Sequence, residues 1–388
     1  MFCTKCGAPI EINNKFCSSC GEKLEQDKNY ETNINNSQDT YSRTSSRKEE
    51  YVKGLSDQVR GTFSQATQKI NSMVGEEGNI DLNLRDVFSA VLQRHSKEEG
   101  EILLTSGTKL TTPSERDIST SWPKPWLFSR VFFVLAITYI CLYICTYFFE
   151  STNTIPGLIM IGSFTVPFSL LIFFWETNAP RNISVYEISK MFFIGGTSSL
   201  VITLFLYSFI SVNEIDVTGA VIIGIVEELG KLVIIAYFIY KINPKYILNG
   251  LLIGAAIGAG FASFESAGYA YNLGTLYGNH SMLSIIFSRA WESMGTHTVW
   301  AAISGAALVY AKGSQPLKRD HFFSNKFIKI FSVPVILHAL WDMPFQIMDN
   351  LGFIVLIITA WLFIFVFINA GLKQITRINF EETPSSLN

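Results

Sequence analysis

The chain has 388 residues, 48% of them hydrophobic, 14% aromatic and only 16% charged, with a formal net charge of -2 at pH 7. That balance excludes a disordered chain, a collagen-like fibre and a nucleic-acid-binding array, so no nucleic-acid partner is expected. Of the 62 Asp, Glu, Lys and Arg residues, 34 fall in the first 126 positions, so a polar N-terminal piece precedes an apolar one.

Four of the six cysteines, Cys3, Cys6, Cys17 and Cys20, form two knuckles, CTKCG and CSSCG. The spacing predicts a zinc ribbon over residues 1–24, with each glycine permitting the turn that aims two thiolates at one ion. A closed four-thiolate site leaves no position for water, so this Zn2+ is read as structural. Thiolates stay free in a reducing compartment and no signal peptide precedes them, which places the N-terminus in the cytosol. Cys141 and Cys145 lie in an apolar run and are read as core residues.

Residues 25–50 are rich in Asn, Ser, Thr and Gln and read as a disordered linker. Residues 51–126 read as a cytoplasmic amphipathic-helix region. Leu84, Val87, Phe88, Val91 and Leu92 follow a helical rhythm behind a candidate cap at Asn83, and Val52, Leu55, Val59 and Phe63 form a looser stripe. Either helix can lie on a membrane surface or dock on the apolar piece.

After Pro125 come eight apolar stretches, approximately 127–149, 155–175, 191–212, 217–240, 247–272, 282–311, 327–345 and 351–372. Each is long enough to cross a ~30 Å hydrocarbon core at ~1.5 Å per residue. The predicted fold is therefore an all-α polytopic membrane protein with about eight transmembrane helices, a small N-terminal zinc ribbon and a flexible cytoplasmic tail, residues 373–388 closing the chain. Fourteen Lys and Arg residues follow Trp126. Lys231 and Arg289 sit inside spans, and the other twelve fall at one face. By the positive-inside rule both termini are cytoplasmic.

The fourth to seventh stretches carry Glu227, Glu228, Lys231, Glu265, Arg289, Glu292, His297, His338 and Asp342. Each charge at mid-membrane costs about 2.5–3.5 kcal/mol on insertion scales, so these groups are expected to face one another. Salt bridges that merely hold the bundle are the plain alternative, but buried pairs are poor net stabilisers. Glu227, Glu228 and His338 are placed about ten residues from a helix end, ~15 Å deep, with His297 near the middle of its helix. Glu265, Arg289, Glu292 and Asp342 fall in the outer halves, so the cluster opens outward. His280 and His321 are assigned to loops and His95 to the tail.

Glu227 and Glu228 are separated by ~100° around a helix, so one can face a cavity while the other meets a neighbour. Lys231 is one turn from Glu227, Arg289 is a candidate partner for Glu265, and Asp342 shares a helix face with His338. Gly250, Gly254, Gly258, Ala262 and Ser266 form a ladder of small residues read as packing.

The segments GIVEELGK (224–231), GFASFES (260–266), RAWESMGTHTVWAA (289–302) and HALWD (338–342) together resemble the PrsW family of bacterial intramembrane proteases, relatives of the CAAX prenyl-protein proteases and bacteriocin-processing enzymes. The resemblance covers about residues 127–372. It implies an endopeptidase of the bacterial cytoplasmic membrane that hydrolyses a peptide bond in or near the transmembrane segment of a single-span protein, an anti-sigma factor being the family's known kind of substrate. Carried over by motif, Glu227, Glu228, Glu265, His297 and His338 are functional positions. Glu228 or Glu227 is expected as base, with His297 and His338 as ligands or electrophilic helpers and Lys231, Glu265, Arg289 and Asp342 in support.

Two mechanisms stay open. A second, catalytic Zn2+ would be held by His297, His338 and a Glu from separate helices; alternatively a Glu activates water directly. Either requires a wet cavity among the fourth to seventh helices, with the imidazoles within ~15 Å of the carboxylates for water-bridged contact. The competing functions are a proton-coupled transporter, disfavoured because the first three spans lack charged counterparts, and a non-catalytic scaffold whose ribbon docks a cytoplasmic partner.

Overall fold

The computed structural model describes residues 3, 5–9, 16–23, 57–80, 82–210, 212, 214, 216–344 and 350–381. The predicted linker at 25–50, the stripe residues Val52 and Leu55, and the last part of the predicted tail, 382–388, lie outside the described residues. The chain divides into two compact units, Met1–Gln65 and Ala66–Asn388.

In the first unit the two cysteine knuckles have the same local form. Cys3 N–H donates to the Ala8 carbonyl and Gly7 N–H to Cys3, while Cys17 N–H donates to Glu22 and Gly21 N–H to Cys17. Gly7 (φ +73°) and Gly21 (φ +72°) take the left-handed conformation that the turn demands. The sulfurs of Cys3 and Cys20 are 3.6 Å apart and those of Cys6 and Cys17 3.7 Å. A tetrahedron with metal–sulfur bonds of ~2.3 Å has an edge of ~3.8 Å, so the four thiols are arranged for one zinc. Backbone N–H groups of Lys5 and Cys6 hold the Cys3 thiol down at about 7, which favours its ligating form.

Helix α1 covers 57–73. After it come two short helices, α2 (Leu84–Val87) and α3 (Lys97–Leu104). Asn83 caps α2 by accepting from Asp86 N–H, as its position predicted. The helix is a single turn, however, and of the predicted stripe Leu84 and Leu92 are exposed. Val87 is buried, and Phe88 lies against Phe128 and Phe173, so this segment docks on the apolar helices rather than lying apart.

The apolar helices are α4 (Leu127–Tyr147), α5 (Ile155–Thr177), α6 (Val185–Tyr207), α7 (Val217–Ile242), α8 (Ile247–Tyr277), α9 (Asn279–Glu292), α10 (His297–Lys312), α11 (Arg319–Phe322), α12 (Asn325–Trp341) and α13 (Asn350–Glu381). Five of them, α4, α5, α6, α8 and α13, are long and apolar enough to cross a membrane by length and composition. All eight predicted stretches are helical over most of their length, but among the described residues the count of eight spans is not reached, because three of the four stretches holding the ionisable groups depart from simple spans. Helix α7 carries Glu227, Glu228 and Lys231, α12 stops at Trp341 two residues before Met343-Pro344, and the sixth stretch is two helices broken at Ser293–Thr296. Proline disfavours helical backbone in the residue before it, which accounts for the end of α12.

The centre of the bundle is α8, almost wholly buried. Its small residues decide this: a Cβ on Gly250 would lie 2.5 Å from the Gly305 carbonyl, on Gly254 1.9 Å from that of Ala301, and on Gly258 2.4 Å from that of His297. The predicted ladder is thus the seat of α10, and it sets the backbone of His297 directly against α8. Gly224 does the same for α7 and α12, its Cβ position lying 2.9 Å from Ala339 N. At the start of α4, Glu176 accepts from the N–H groups of Trp126, Leu127 and Phe128, each at 2.8 Å, and so closes the helix terminus with a carboxylate. Cys141 is exposed and Cys145 half-buried on α4, not in the core as expected, because α4 packs on one side and leaves most of its surface outward.

Candidate active site

Two glycine-mediated approaches, α8 to α10 and α7 to α12, help bring these four helices close enough for their polar side chains to meet. Lys231 is fully buried at the centre. Its Nζ donates to Glu228 Oε1 at 2.8 Å and to His297 Nδ1 at 2.8 Å, lies 3.6 Å from Glu227 Oε2, and sits 4.2 Å above the Phe261 ring. The primary carboxylate of Lys231 is therefore Glu228, three residues back, with the predicted Glu227 pairing longer. The ammonium is satisfied on every side, which offsets the cost of removing it from water.

Where Lys231 donates to Nδ1 as an ammonium, the His297 ring proton is on Nε2, which lies 3.0 Å from Glu265 Oε2. Glu265 is also paired with Arg289, as expected, and Arg289 Nε donates to Ser266 Oγ at 3.2 Å. His338 Nδ1 is 3.0 Å from Glu228 Oε1, and its Nε2 is 3.3 Å from Asp342 Oδ2 and 3.7 Å from Glu227 Oε2. The two imidazoles are in ring contact, their centroids 5.1 Å apart. Every predicted site residue on these helices joins one continuous network. Glu292, 3.8 Å from Arg289 and bonded to Ser288, sits at its edge.

Four histidine placements differ from the sequence expectation. His297 is not mid-helix but the first residue of α10, after the break at Ser293–Thr296, and His338 lies in the last turn of α12 rather than ten residues from an end. Breaks in otherwise apolar helices are tolerated where irregular backbone lines a cavity. His280 and His321 are within helices α9 and α11, not loops, and neither is in the network.

The adjacent carboxylates face opposite ways. Glu228 is completely buried against Lys231 and His338. Glu227 instead lines a cavity of about 360 Å³, together with Tyr207, Glu265, Arg289, His297, His338 and Asp342. Tyr269, Trp300 and Trp341 also line it, and the sequence reading missed these three and Tyr207. Tyr207 Oη is 3.5 Å from Glu227 Oε1. An aromatic at the end of an apolar stretch looks like a membrane-interface residue, so sequence carried no signal for its role here.

Glu227, His297 and His338 each offer a ligand atom within 4.8 Å of the others. One carboxylate and two imidazoles are the donor set of many catalytic zinc sites. Glu227 Oε2 is buried without a hydrogen-bond partner, and Glu228 holds the far nitrogen of His338 as outer carboxylates hold metal-ligating histidines. The residues present fit a metal.

No curated protein and no solved structure matches the chain. Residues 2–24 match the model of a zinc-ribbon domain, and residues 186–370 match that of the PrsW family intramembrane metalloproteases. The second match begins in α6, leaving α4 and α5 before it, and contains every member of the buried network. The chain is therefore a multi-pass membrane protein that carries the intramembrane protease domain of the PrsW family behind an N-terminal zinc ribbon.

Proposed function

We propose that this protein cleaves a peptide bond in or beside the transmembrane segment of a single-span membrane protein, with an anti-sigma-factor-like protein as the substrate class, and that Glu227 is the carboxylate at the reacting centre. The observation that carries this reading is the convergence of Glu227, His297 and His338 from three helices on one cavity, where Glu227 Oε2 makes no hydrogen bond. The distribution of Lys and Arg supports cytoplasmic termini, and the likeness to the PrsW family supports a bacterial cytoplasmic membrane, on whose inner side the ribbon at 1–24 docks a soluble partner. The protease domain is taken as 127–372.

In the metal-dependent reading Glu227, His297 and His338 would hold a zinc ion, which when bound polarises the scissile carbonyl and acidifies a water. Glu228 is then a positioning residue, fixing the His338 ring through Nδ1 and neutralising Lys231. Arg289 holds Glu265 at the cavity wall, and Glu265 and Asp342 are the remaining carboxylates able to take a proton there.

A second reading is favoured by Lys231. Its contact with His297 Nδ1 leaves the ring proton on Nε2, so that nitrogen donates rather than ligates. Glu227 would then deprotonate a cavity water directly, and His297 or His338 would hydrogen-bond the developing oxyanion.

Zinc counting separates the readings. In the metal-dependent case the purified full chain holds two zinc ions, Cys3→Ser/Cys17→Ser holds one, and His297→Ala/His338→Ala holds one. An unchanged count in the histidine variant assigns the chemistry to Glu227 alone. Wild-type cleavage of a reconstituted single-span substrate by Glu227→Gln sinks both.

A further inference from the structure

The segment ahead of the apolar helices contains, after α1, a loop to which the protease reading gives no role. The chain leaves α1 at residue 73 and turns through Gly75 (φ +77°) and Gly78 (φ +79°). Asn71 closes the turn: its Nδ2 donates to the Gly78 carbonyl at 2.9 Å, and its own carbonyl accepts from the Val74 and Glu76 N–H groups. The turn presents Glu76 to the end of α13, where the carboxylate pairs with Arg377 and lies 3.8 Å from Lys373 Nζ. Lys373 also donates to the Glu77 carbonyl at 3.4 Å.

Beside this pair is a cavity of about 650 Å³, lined by Glu76, Lys245, Tyr310, Lys326, Gln374 and Arg377. It shares no lining residue with the catalytic cavity. Its cations come from three places: the turn between α7 and α8, the start of α12 and the end of α13. Gln374 ties two of these together, accepting from Ile247 N–H at 2.9 Å and donating to the Lys245 carbonyl at 3.2 Å. Lys245 is paired with Glu115 at 2.8 Å. Among the described residues at this cavity the cations Lys245, Lys326, Lys373 and Arg377 outnumber the carboxylates paired with them, Glu76 and Glu115, so its surroundings are basic.

The 32 residues of α13 span about 48 Å at 1.5 Å per residue, against a hydrocarbon core of about 30 Å. Lys373 and Arg377, near its end, therefore fall at headgroup level on the basic face. Basic pockets between membrane helices at this level suit phosphate headgroups. A phosphodiester headgroup matches the single charge of the carboxylate already seated there, and a phosphomonoester or pyrophosphate carries more charge and more acceptor oxygens.

We propose that this cavity is a phosphate-binding site, taking the headgroup of an anionic phospholipid or a free phosphate-bearing solute, with Glu76 as the internal anion that competes for it. Occupancy displaces Glu76 from Arg377 and so frees the loop at 75–78. The proposal does not depend on the protease chemistry, and its test reads binding.

The full chain is placed in neutral phosphatidylcholine nanodiscs in two arms. One adds phosphatidylglycerol, with retained lipid counted by native mass spectrometry; the other titrates inorganic pyrophosphate by calorimetry. Wild type is compared with Glu76→Gln and with Lys326→Ala, an exposed side chain whose removal leaves the fold intact. Lys326→Ala is expected to weaken binding about fivefold, and Glu76→Gln to strengthen it by about the same factor. That pattern with phosphatidylglycerol assigns a lipid headgroup, and with pyrophosphate a soluble ligand. Binding of neither probe, or binding that either substitution leaves unchanged, overturns the proposal.

Discussion

Adjacent glutamates of one helix are expected to fail in different ways, and the difference follows from where each points. Glu227→Gln removes the carboxylate that faces the cavity, whose Oε2 has no hydrogen bond to lose. A general base contributes about 10²–10⁴-fold, or roughly 2.7–5.5 kcal/mol of barrier, so cleavage should fall by that factor with the fold little changed. Glu228→Gln keeps an acceptor oxygen but removes the charge balancing a fully buried ammonium and gripping His338 Nδ1 at 3.0 Å. Hydrogen bonds to charged groups are worth about 1.5–3 kcal/mol, so the melting temperature should drop. Loss of an orienting carboxylate typically costs about 10–100-fold in activity or metal affinity. Full-length protein in liposomes, with a single-span substrate and a thermal unfolding series, measures both quantities. The reasoning is refuted if Glu228→Gln is as inactive as Glu227→Gln at an unchanged melting temperature, or if Glu227→Gln unfolds the protein while Glu228→Gln does not.

Gly254→Val places a Cβ 1.9 Å from the Ala301 carbonyl, so α10 must shift. It should cost about 1–3 kcal/mol and impair cleavage through His297. Gly268→Ala, with open space around it, should leave thermal stability and cleavage at wild-type levels. Glu176→Gln should lower stability by about 0.5–2 kcal/mol through the weakened terminus of α4, read by thermal unfolding, without altering the cleavage rate of the folded fraction. Cys6→Ser/Cys20→Ser should remove one zinc ion per chain and leave membrane insertion intact, checked by metal analysis of the membrane fraction.

Much of this protein was legible before any fold was drawn. The two CxxCG knuckles act through neighbours in sequence, so their geometry is local, and the small-residue ladder from Gly250 to Gly258 announced a close helix contact because glycine carries no Cβ. The ionisable residues in apolar stretches marked the site for an equally simple reason: lipid offers them no partner, so they must find one another. What neighbours in sequence could not decide was the pairing across helices. That Glu228 turns inward to Lys231 and His338 while Glu227 faces the cavity depends on how α7 meets α12 at Gly224. That His297 begins a helix rather than lying within one depends on the break at Ser293–Thr296, inside a stretch that in sequence reads as one span. The roles of Tyr207 and Glu176, and the basic cavity closed by Glu76, likewise rest on contacts between residues tens to hundreds of positions apart. Such contacts are set by packing, which no local pattern encodes.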